Sequence, residues 1–430
     1  MMDETNGCTI IRSKAYFRYL IFILIFVEIL DTYTTNYPNV IPSQVIAEFL
    51  ANYPENVAQS IFALAVGIAT IGMYFVLLNQ FLADKFGRKI LLAFTVFGMG
   101  FSSLLIFLST NIIEYTIYLF MLYVFFSSDI WVIYINEECP SEKRGFWTNM
   151  VLVGGVVGAI LLPVFRSIYI TKTHSYWRGM TFFAIFLGIS LGIIILFTLK
   201  ETSKYQELKT DQEPINRTSQ SLSLKRNLKT LFKSSRRKEV IVILIISYIS
   251  GLNYLFVALG ESFISNSPNL DQDDINIIVS VMSISVVFGY IFTGYVADKY
   301  GRKPLFYIYS ALLPVGIVIA VFGSYSTEGA LLFVCIGASI ANVTFWGLGV
   351  VTRLVILEIV PTESRGTGSG MKSLIGALGI TSGLLLSSII ILYYGLGFSF
   401  IVFSVLLLIN IPLVVKFIRE TKGIDLSEVK

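Results

Sequence analysis

The segment ADKFGRK at residues 83–89 occurs a second time, almost unchanged, as ADKYGRK at residues 297–303. A second pair follows, EECPSEKRG at residues 137–145 and EIVPTESRG at residues 358–366, which align on the proline that each contains. Each half then closes on Glu-Thr, at Glu201 and at Glu420. Three landmarks in the same order and with nearly constant spacing indicate two parallel copies of one unit.

The composition places both copies in a membrane. Of the 430 residues, 55% are hydrophobic and 14% are charged, and the mean hydropathy is +0.75. A soluble domain carries about 25% charged residues, so a water-soluble globule of this size is excluded. A spanning helix needs roughly 20 apolar residues. Runs of this kind lie near 18–38, 57–83, 89–109, 114–136, 146–166, 178–199, 239–262, 275–297, 304–324, 330–356, 369–393 and 396–416.

These runs predict an all-α membrane protein with twelve spanning helices in two parallel six-helix repeats. The first repeat would cover residues 1–199 and the second residues 239–430, joined by a polar, basic cytoplasmic linker at 200–238. Lys and Arg are retained in cytoplasmic loops. With both termini cytoplasmic, 29 of the 32 basic residues lie inside, and the three outside are Arg166, Lys172 and Arg178. Arg166, at the outer end of helix 5, is expected to be an interfacial anchor; the alternative is that it attracts organic acids.

The repeated motifs resemble those of the major facilitator superfamily. D-x-x-G-R-K occurs in both loop 2–3 and loop 8–9, and the Glu-x-x-Pro-x-x-x-Arg-Gly pattern is similar to the sugar porter branch and its organic-acid and organic-ion relatives. The resemblance implies alternating access and an inner-face charge network that holds the outward-open state, with glycines permitting the tight turns. The alternative is that these charges only cap helices and follow the topology rule. The positions concerned are Asp84, Gly87, Arg88, Glu137 and Arg144 in the first half and Asp298, Gly301, Arg302, Glu358 and Arg365 in the second.

Helix 1 carries two acids inside its apolar run. Counting from Arg18 at about 1.5 Å per residue, Glu28 lies about 15 Å and Asp31 about 20 Å into the membrane. Together with Thr35 they share one face, which predicts that this face lines a central cavity. A charge at this depth costs ~2.5–3.5 kcal/mol or more. Asp31 resembles the helix 1 aspartate of proton-coupled sugar porters, and the resemblance implies a coupling carboxylate; the alternative is packing alone. Glu28 is predicted to assist by sharing a proton with Asp31, or else to bind a cationic substrate.

Other candidates lie in helices 4, 7 and 10. Asp129 is a further intramembrane acid, predicted either to assist protonation or to make a buried interhelical hydrogen bond. Asn253, Tyr254 and Trp346 are predicted to line the cavity with Asp31 and Thr35. The helix 7 stretch containing the first two is similar to a degraded sugar porter signature. Arg353, five residues before Glu358, is expected to join the inner network or to snorkel rather than to bind an anion.

The sequence therefore predicts a secondary transporter, in the cell membrane and monomeric, that moves a small polar metabolite with proton symport. The substrate would be sugar-like or an organic acid. Two alternatives stay open: an exporter or facilitator of organic cations or drugs, and a non-transporting nutrient sensor. No cofactor, metal site or nucleic-acid partner is predicted, and an enzyme is disfavoured because we find no His/Cys cluster, nucleophile elbow or phosphate-binding loop.

Overall fold

In the computed structural model of the chain, residues 13–126, 130–139, 143–203, 205–206, 231–232, 236–360 and 365–423 are described. Within them the chain is almost entirely helical, and Ile170 and Ser175 form an isolated β-bridge. The predicted coupling residue Asp129 and most of the linker at 200–238 lie outside the described residues.

The helices of the first half follow the predicted apolar runs, with one addition. A short helix, α2, lies between the first two runs, and the second run is divided in two by a 3-10 segment at Thr70–Phe75. The helices are α1 (Lys14–Asn36), α2 (Pro42–Phe49), α3 (Glu55–Ala69), α4 (Val76–Phe86), α5 (Arg88–Leu108), α6 (Ile112–Val124), α7 (Ile130–Glu138), α8 (Arg144–Tyr169) and α9 (Met180–Thr198).

The second half repeats the pattern with different interruptions. The seventh run is broken at Asn253, and the last run contains a 3-10 turn at Leu407–Ile409. The helices are α10 (Arg237–Leu252), α11 (Tyr254–Ser265), α12 (Gln272–Tyr300), α13 (Lys303–Ser324), α14 (Ala330–Ile359), α15 (Arg365–Tyr394), α16 (Leu396–Leu406) and α17 (Asn410–Phe417).

Ten segments of the described chain are long and apolar enough to cross a membrane. The first predicted run, α1, falls outside this set; it contains four charged residues between Lys14 and Asp31. The fourth run is represented by the 13-residue helix α6 and by α7, on either side of residues 127–129. The multi-pass, all-helical architecture is therefore confirmed, and the count of twelve spans remains a prediction.

Glycines give both halves the same close helix packing. In α8, a Cβ added to Gly158 would lie 2.5 Å from the carbonyl oxygen of Ile29 in α1. In α15, a Cβ added to Gly379 would lie 2.2 Å from the carbonyl oxygen of Tyr248 in α10. The two glycines are separated by the same offset as the two prolines of the repeated loop motif. Small residues let helix backbones approach closely in a membrane, so the repeat extends from the loops to the packing.

Candidate functional site

Asp31 lies in the interior of the first half, on α1. Its side chain is 8% exposed, and the hydroxyls that follow it bond back to the helix. Thr35 Oγ1 donates to the Asp31 carbonyl oxygen at 2.7 Å. Thr34 Oγ1 donates to the Leu30 carbonyl oxygen at 2.8 Å and lies 3.3 Å from Met99 Sδ on α5. The Asp31 carboxylate is thus buried on a helix whose neighbouring hydroxyls are bonded to its own backbone.

Glu28 faces a different neighbour from Asp31. A Cβ added to Gly155 of α8 would lie 3.0 Å from Glu28 Oε1 and 3.0 Å from Thr32 Oγ1. Glu28 is partly buried, and α8, the helix that it faces, packs on α12 of the second half. Glu28 therefore lies where the two halves meet.

A polar and aromatic group in the second half adjoins Glu28. Tyr290 is 45% exposed, and its ring centroid is 6.1 Å from that of Trp346 on α14. Arg353, further along α14, is exposed and acts electrostatically on both Tyr290 and Lys372 of α15. We did not single out Tyr290 or Lys372 from the sequence. Lys372, a cation inside an apolar run, could have been found by the criterion that found Glu28.

The helix 7 candidates lie at the break between α10 and α11. Asn253 is 6% exposed, and its Nδ2 donates to the Ile249 carbonyl oxygen at 3.1 Å. Tyr254 is also buried, and its hydroxyl is 3.0 Å from Nδ2 of Asn39 in the first half. These two residues therefore lie at a contact between the halves.

The repeated loop motifs make the same bonds in both halves. Arg88 Nη2 is 3.2 Å from Glu137 Oε1, and Arg302 Nη2 is 2.8 Å from Glu358 Oε1. Arg302 Nη2 also lies 3.3 Å from Asp298 Oδ1. The side chains of Asp84 and Arg144 lie outside the described part of the structure. Arg365 is the first residue of α15 and is partly buried.

The Glu-Thr that closes each half caps a helix of the same half. Glu201 Oε1 accepts from the backbone N–H of Arg88 at 2.9 Å and of Lys89 at 3.2 Å, at the start of α5. Glu420 accepts from the backbone N–H of Arg302 at 2.9 Å and, in the same way, from that of Lys303 at 3.0 Å. A carboxylate is stabilising at a helix N-terminus. The sequence signal was present as the third repeated landmark, but its role was not predicted.

Metal-binding side chains do not cluster in the part of the chain that the structure describes: no group of three His, Cys, Asp or Glu is found there that could hold an ion.

Comparison with known proteins decides the family. The family model for sugar (and other) transporters matches residues 18–430. This chain belongs to that family. It is 25% identical over 336 residues to the sialic acid transporter of Escherichia coli (strain K12), covering 75% of this chain and 76% of the relative. It is 22% identical over 400 residues to the arabinose-proton symporter of Bacillus subtilis (strain 168), covering 85% and 83%.

Solved structures show the fold of this sugar transporter family member. The D-xylose-proton symporter superimposes with a TM-score of 0.76 at 17% identity, covering 95% of this chain and 99% of that one. The inward-open form of the xylose transporter from E. coli gives a TM-score of 0.70 at 19% identity, covering 96% and 99%. The protein is therefore a multi-pass membrane transporter with the major facilitator fold, and not an enzyme.

In the described part of the chain, hydrogen bonds and ion pairs join the two halves away from the repeated loop motifs, on the side that the topology prediction places outside. Besides the contact of Asn39 with Tyr254, they include Ser60 Oγ to the Ser388 carbonyl oxygen at 2.7 Å, Thr70 Oγ1 to Thr381 Oγ1 at 2.9 Å, and Lys172 Nζ to Asp273 Oδ2 at 2.7 Å.

Arg166 belongs to this outer contact and is not the interfacial anchor that the sequence suggested. Its side chain is 0% exposed and lies 2.5 Å from Glu261 Oε1 of α11. The interpretation failed because the partner lies in the other half of the chain, where no local pattern indicates it.

Proposed function

We propose that this transporter is a proton symporter of the cell membrane, working as a monomer by alternating access, that moves a small polar metabolite bearing a carboxylate. The observation that carries the proposal is the burial of Asp31, which lies in the C-terminal part of α1 and inside the first predicted apolar run. An ionised group at this depth is costly, so a cycle in which it takes up and releases a proton as the cavity changes sides has a physical basis.

Glu28 is the assisting carboxylate in this proposal, because it lies one turn before Asp31 on α1 and is partly buried against α8. Asp129 keeps the same assisting role as a prediction. Thr35, Asn253, Tyr254 and Trp346 would contact the substrate. Two relatives named for proton symport, of arabinose and of D-xylose, support the coupling.

The ring of charged loop residues would serve gating rather than binding. Each half forms its own ion pair, Arg88 with Glu137 in the first and Arg302 with Glu358 in the second. These loop residues are separate from Asp31 and the other proposed binding residues. We keep the sequence-based role for this network, that it stabilises the outward-open state, as part of the proposal.

The cations of the second half favour an organic acid over a neutral sugar. Arg353 is exposed in the inner part of α14, and Lys372 of α15 lies within reach of its charge. A guanidinium and an ammonium together suit a carboxylate, and a sialic acid transporter is among the relatives. The cation-transport alternative is weakened, because Glu261, one of the acids that suggested it, is paired with Arg166.

The test is uptake into proteoliposomes with three probes: arabinose, sialic acid and betaine, each with and without an inward proton gradient. Uphill uptake of the acid is expected for the wild type. Asp31→Asn should abolish uphill uptake and retain exchange, whereas Asp273→Asn, an exposed carboxylate on the outer side, should change neither. Arg353→Gln should raise the KM for the acid.

Two results would refute parts of this proposal. Gradient-driven uptake that persists in Asp31→Asn would end the coupling role of that carboxylate. Uptake of arabinose, the probe without a carboxylate, in preference to sialic acid and unaffected by Arg353→Gln, would end the assignment of substrate class.

A further inference from the structure

The ion pair between Arg166 and Glu261 is sealed from water. Arg166 on α8 belongs to the first half and is 0% exposed; Glu261 on α11 belongs to the second and is 1% exposed. Arg166 is also held by the carbonyl oxygen of Val40, 2.8 Å from its Nε, and by Oδ1 of Asn276. A buried charge pair of this kind persists only where each charge has hydrogen-bonding partners, and both charges have them here.

The partners of Glu261 come largely from the first half. Oε2 accepts from the backbone N–H of Ser43 at 2.9 Å, and Oε1 accepts from Ser43 Oγ at 2.7 Å. Ser43 is the second residue of α2, so the carboxylate also caps the N-terminus of that helix. From its own half, Glu261 accepts a bond from Ser265 Oγ at 3.0 Å.

Helix α2 is fixed to the first half at its other end. Glu48 Oε2 accepts from Trp177 Nε1 at 2.6 Å and pairs with Arg178 Nη1 at 2.6 Å. Arg178 in turn donates to the carbonyl oxygens of Phe107 and Ser109. Because these contacts are all within the first half, α2 moves with that half when the outer side opens.

We propose that Arg166 and Glu261, with the N-terminus of α2, form an outer lock that holds the transporter closed to the outside and must break in every cycle. The proposal rests on the alternating access proposed above. Opening of the outer side would separate Glu261 from Arg166 and from Ser43 at the same time. The Glu261 carboxylate and the Arg166 guanidinium would then both be exposed to water. The lock therefore sets the balance between the two orientations.

The exposed ion pair nearby does not have this property. Lys172 also pairs across the halves, with Asp271 and Asp273, but all three side chains are at least half exposed. Exposed pairs contribute about 0–1 kcal/mol because water screens them. Lys172 and Asp273 are thus matched controls, one basic and one acidic, for a charge that pairs across the halves.

The experiment measures the distance between spin labels at Asn52 and Thr327, two exposed outer-loop positions on opposite halves, after replacing the natural cysteines. It needs neither substrate nor proton gradient, so it is independent of the Asp31 test. Arg166→Gln and Glu261→Gln should each raise the ratio of the long-distance to the short-distance population by roughly a hundredfold, as expected when one partner of a buried pair is removed. Lys172→Gln and Asp273→Asn, which remove charges of an exposed pair, should shift it by less than about fivefold.

The double variant Arg166→Gln/Glu261→Gln separates a lock from simple loss of packing. Because it leaves no lone buried charge, it should lie closer to the wild type than either single variant. Distance distributions of the single variants that match the two controls would overturn the proposal. So would a double variant whose shift equals the sum of the single ones. If one of the two single variants fails to fold, comparison of the other single variant with the double variant still tests the lock.

Discussion

Replacing Gly87 with alanine tests the turn at the start of α5. Gly87 has φ of 104° and ψ of 148°, a region that is essentially restricted to glycine. A Cβ at this position would lie 2.2 Å from Glu201 Oε2, the carboxylate that caps α5. The substitution therefore strains the backbone and displaces the cap at the same time.

The two effects have separable sizes. Backbone strain at such a position costs about 1–3 kcal/mol, and losing a carboxylate cap costs about 1–2 kcal/mol. Gly87→Ala should thus destabilise the protein by about 2–5 kcal/mol. At roughly 2–4 °C per kcal/mol, the Tm should fall by at least about 4 °C. Gly301→Ala should behave alike, since Gly301 has φ of 99° and its added Cβ would lie 2.5 Å from Glu420 Oε2.

Thermal unfolding in detergent, followed by tryptophan fluorescence, measures the change. The control is Gly294→Ala in α12, where an added Cβ meets nothing within 4 Å; alanine favours a helix over glycine, so the Tm should stay or rise. A Gly87→Ala protein as stable as Gly294→Ala would show that the turn and the cap do not depend on glycine, and the reasoning would be wrong.

Three further predictions concern the caps. Glu201→Gln should destabilise the folded protein by about 1 kcal/mol through weakened bonds to the α5 backbone, and Glu420→Gln should destabilise it by less, because Glu420 is exposed. The measurement is the Tm of each variant, with Glu328→Gln, which changes an exposed outer glutamate, as the control. Equal Tm values for all three variants would contradict both predictions. Burial alone would raise the pKa of Glu420, but bonds from the backbone of Arg302 and Lys303 hold it below its usual 4.5. A lowered pKa stabilises the folded protein above pH 4.5, and this contribution is lost as the pH falls through the lowered value. The Tm difference between wild type and Glu420→Gln should therefore be constant above about pH 5 and shrink in acid.

The fold was predictable because its signals are local and repeated. Apolar runs fix the helices, and the nearly constant offset between the paired loop motifs fixes the two copies. The breaks were missed for a physical reason. The run at 239–262 is long enough to span the membrane as one helix and carries Ser250 and Gly251 beside Asn253, yet the helix ends at Leu252 and restarts at Tyr254. An intramembrane break is allowed only where neighbouring groups accept the freed backbone, and the run itself does not contain that information.

The sequence predicted which residues belong to the candidate site, but not which residues they contact. Glu28 and Asp31 are visible because a charge in an apolar run is expensive. Arg166 was misread because its partner, Glu261, lies in the other half of the chain, and neither belongs to a repeated motif. The capping role of Glu201 was missed because a Glu-Thr pair near a basic loop has no distinctive periodicity.

The two kinds of charge contact have different consequences for alternating access. Arg88–Glu137 and Arg302–Glu358 are formed inside their halves while the outer side is closed. If the halves rock as rigid units, bonds inside one half exist in both orientations and cannot by themselves favour one. To hold the outward-open state, as the sequence motifs predict, these networks must also reach across the halves when the inner side closes. A bias toward the closed outer side must come from bonds between the halves, and the pair of Arg166 and Glu261 is a buried bond of that kind. The duplicated loop motifs therefore give each half the same ion pair. The outer lock is not duplicated, and it would stabilise the orientation that is closed to the outside.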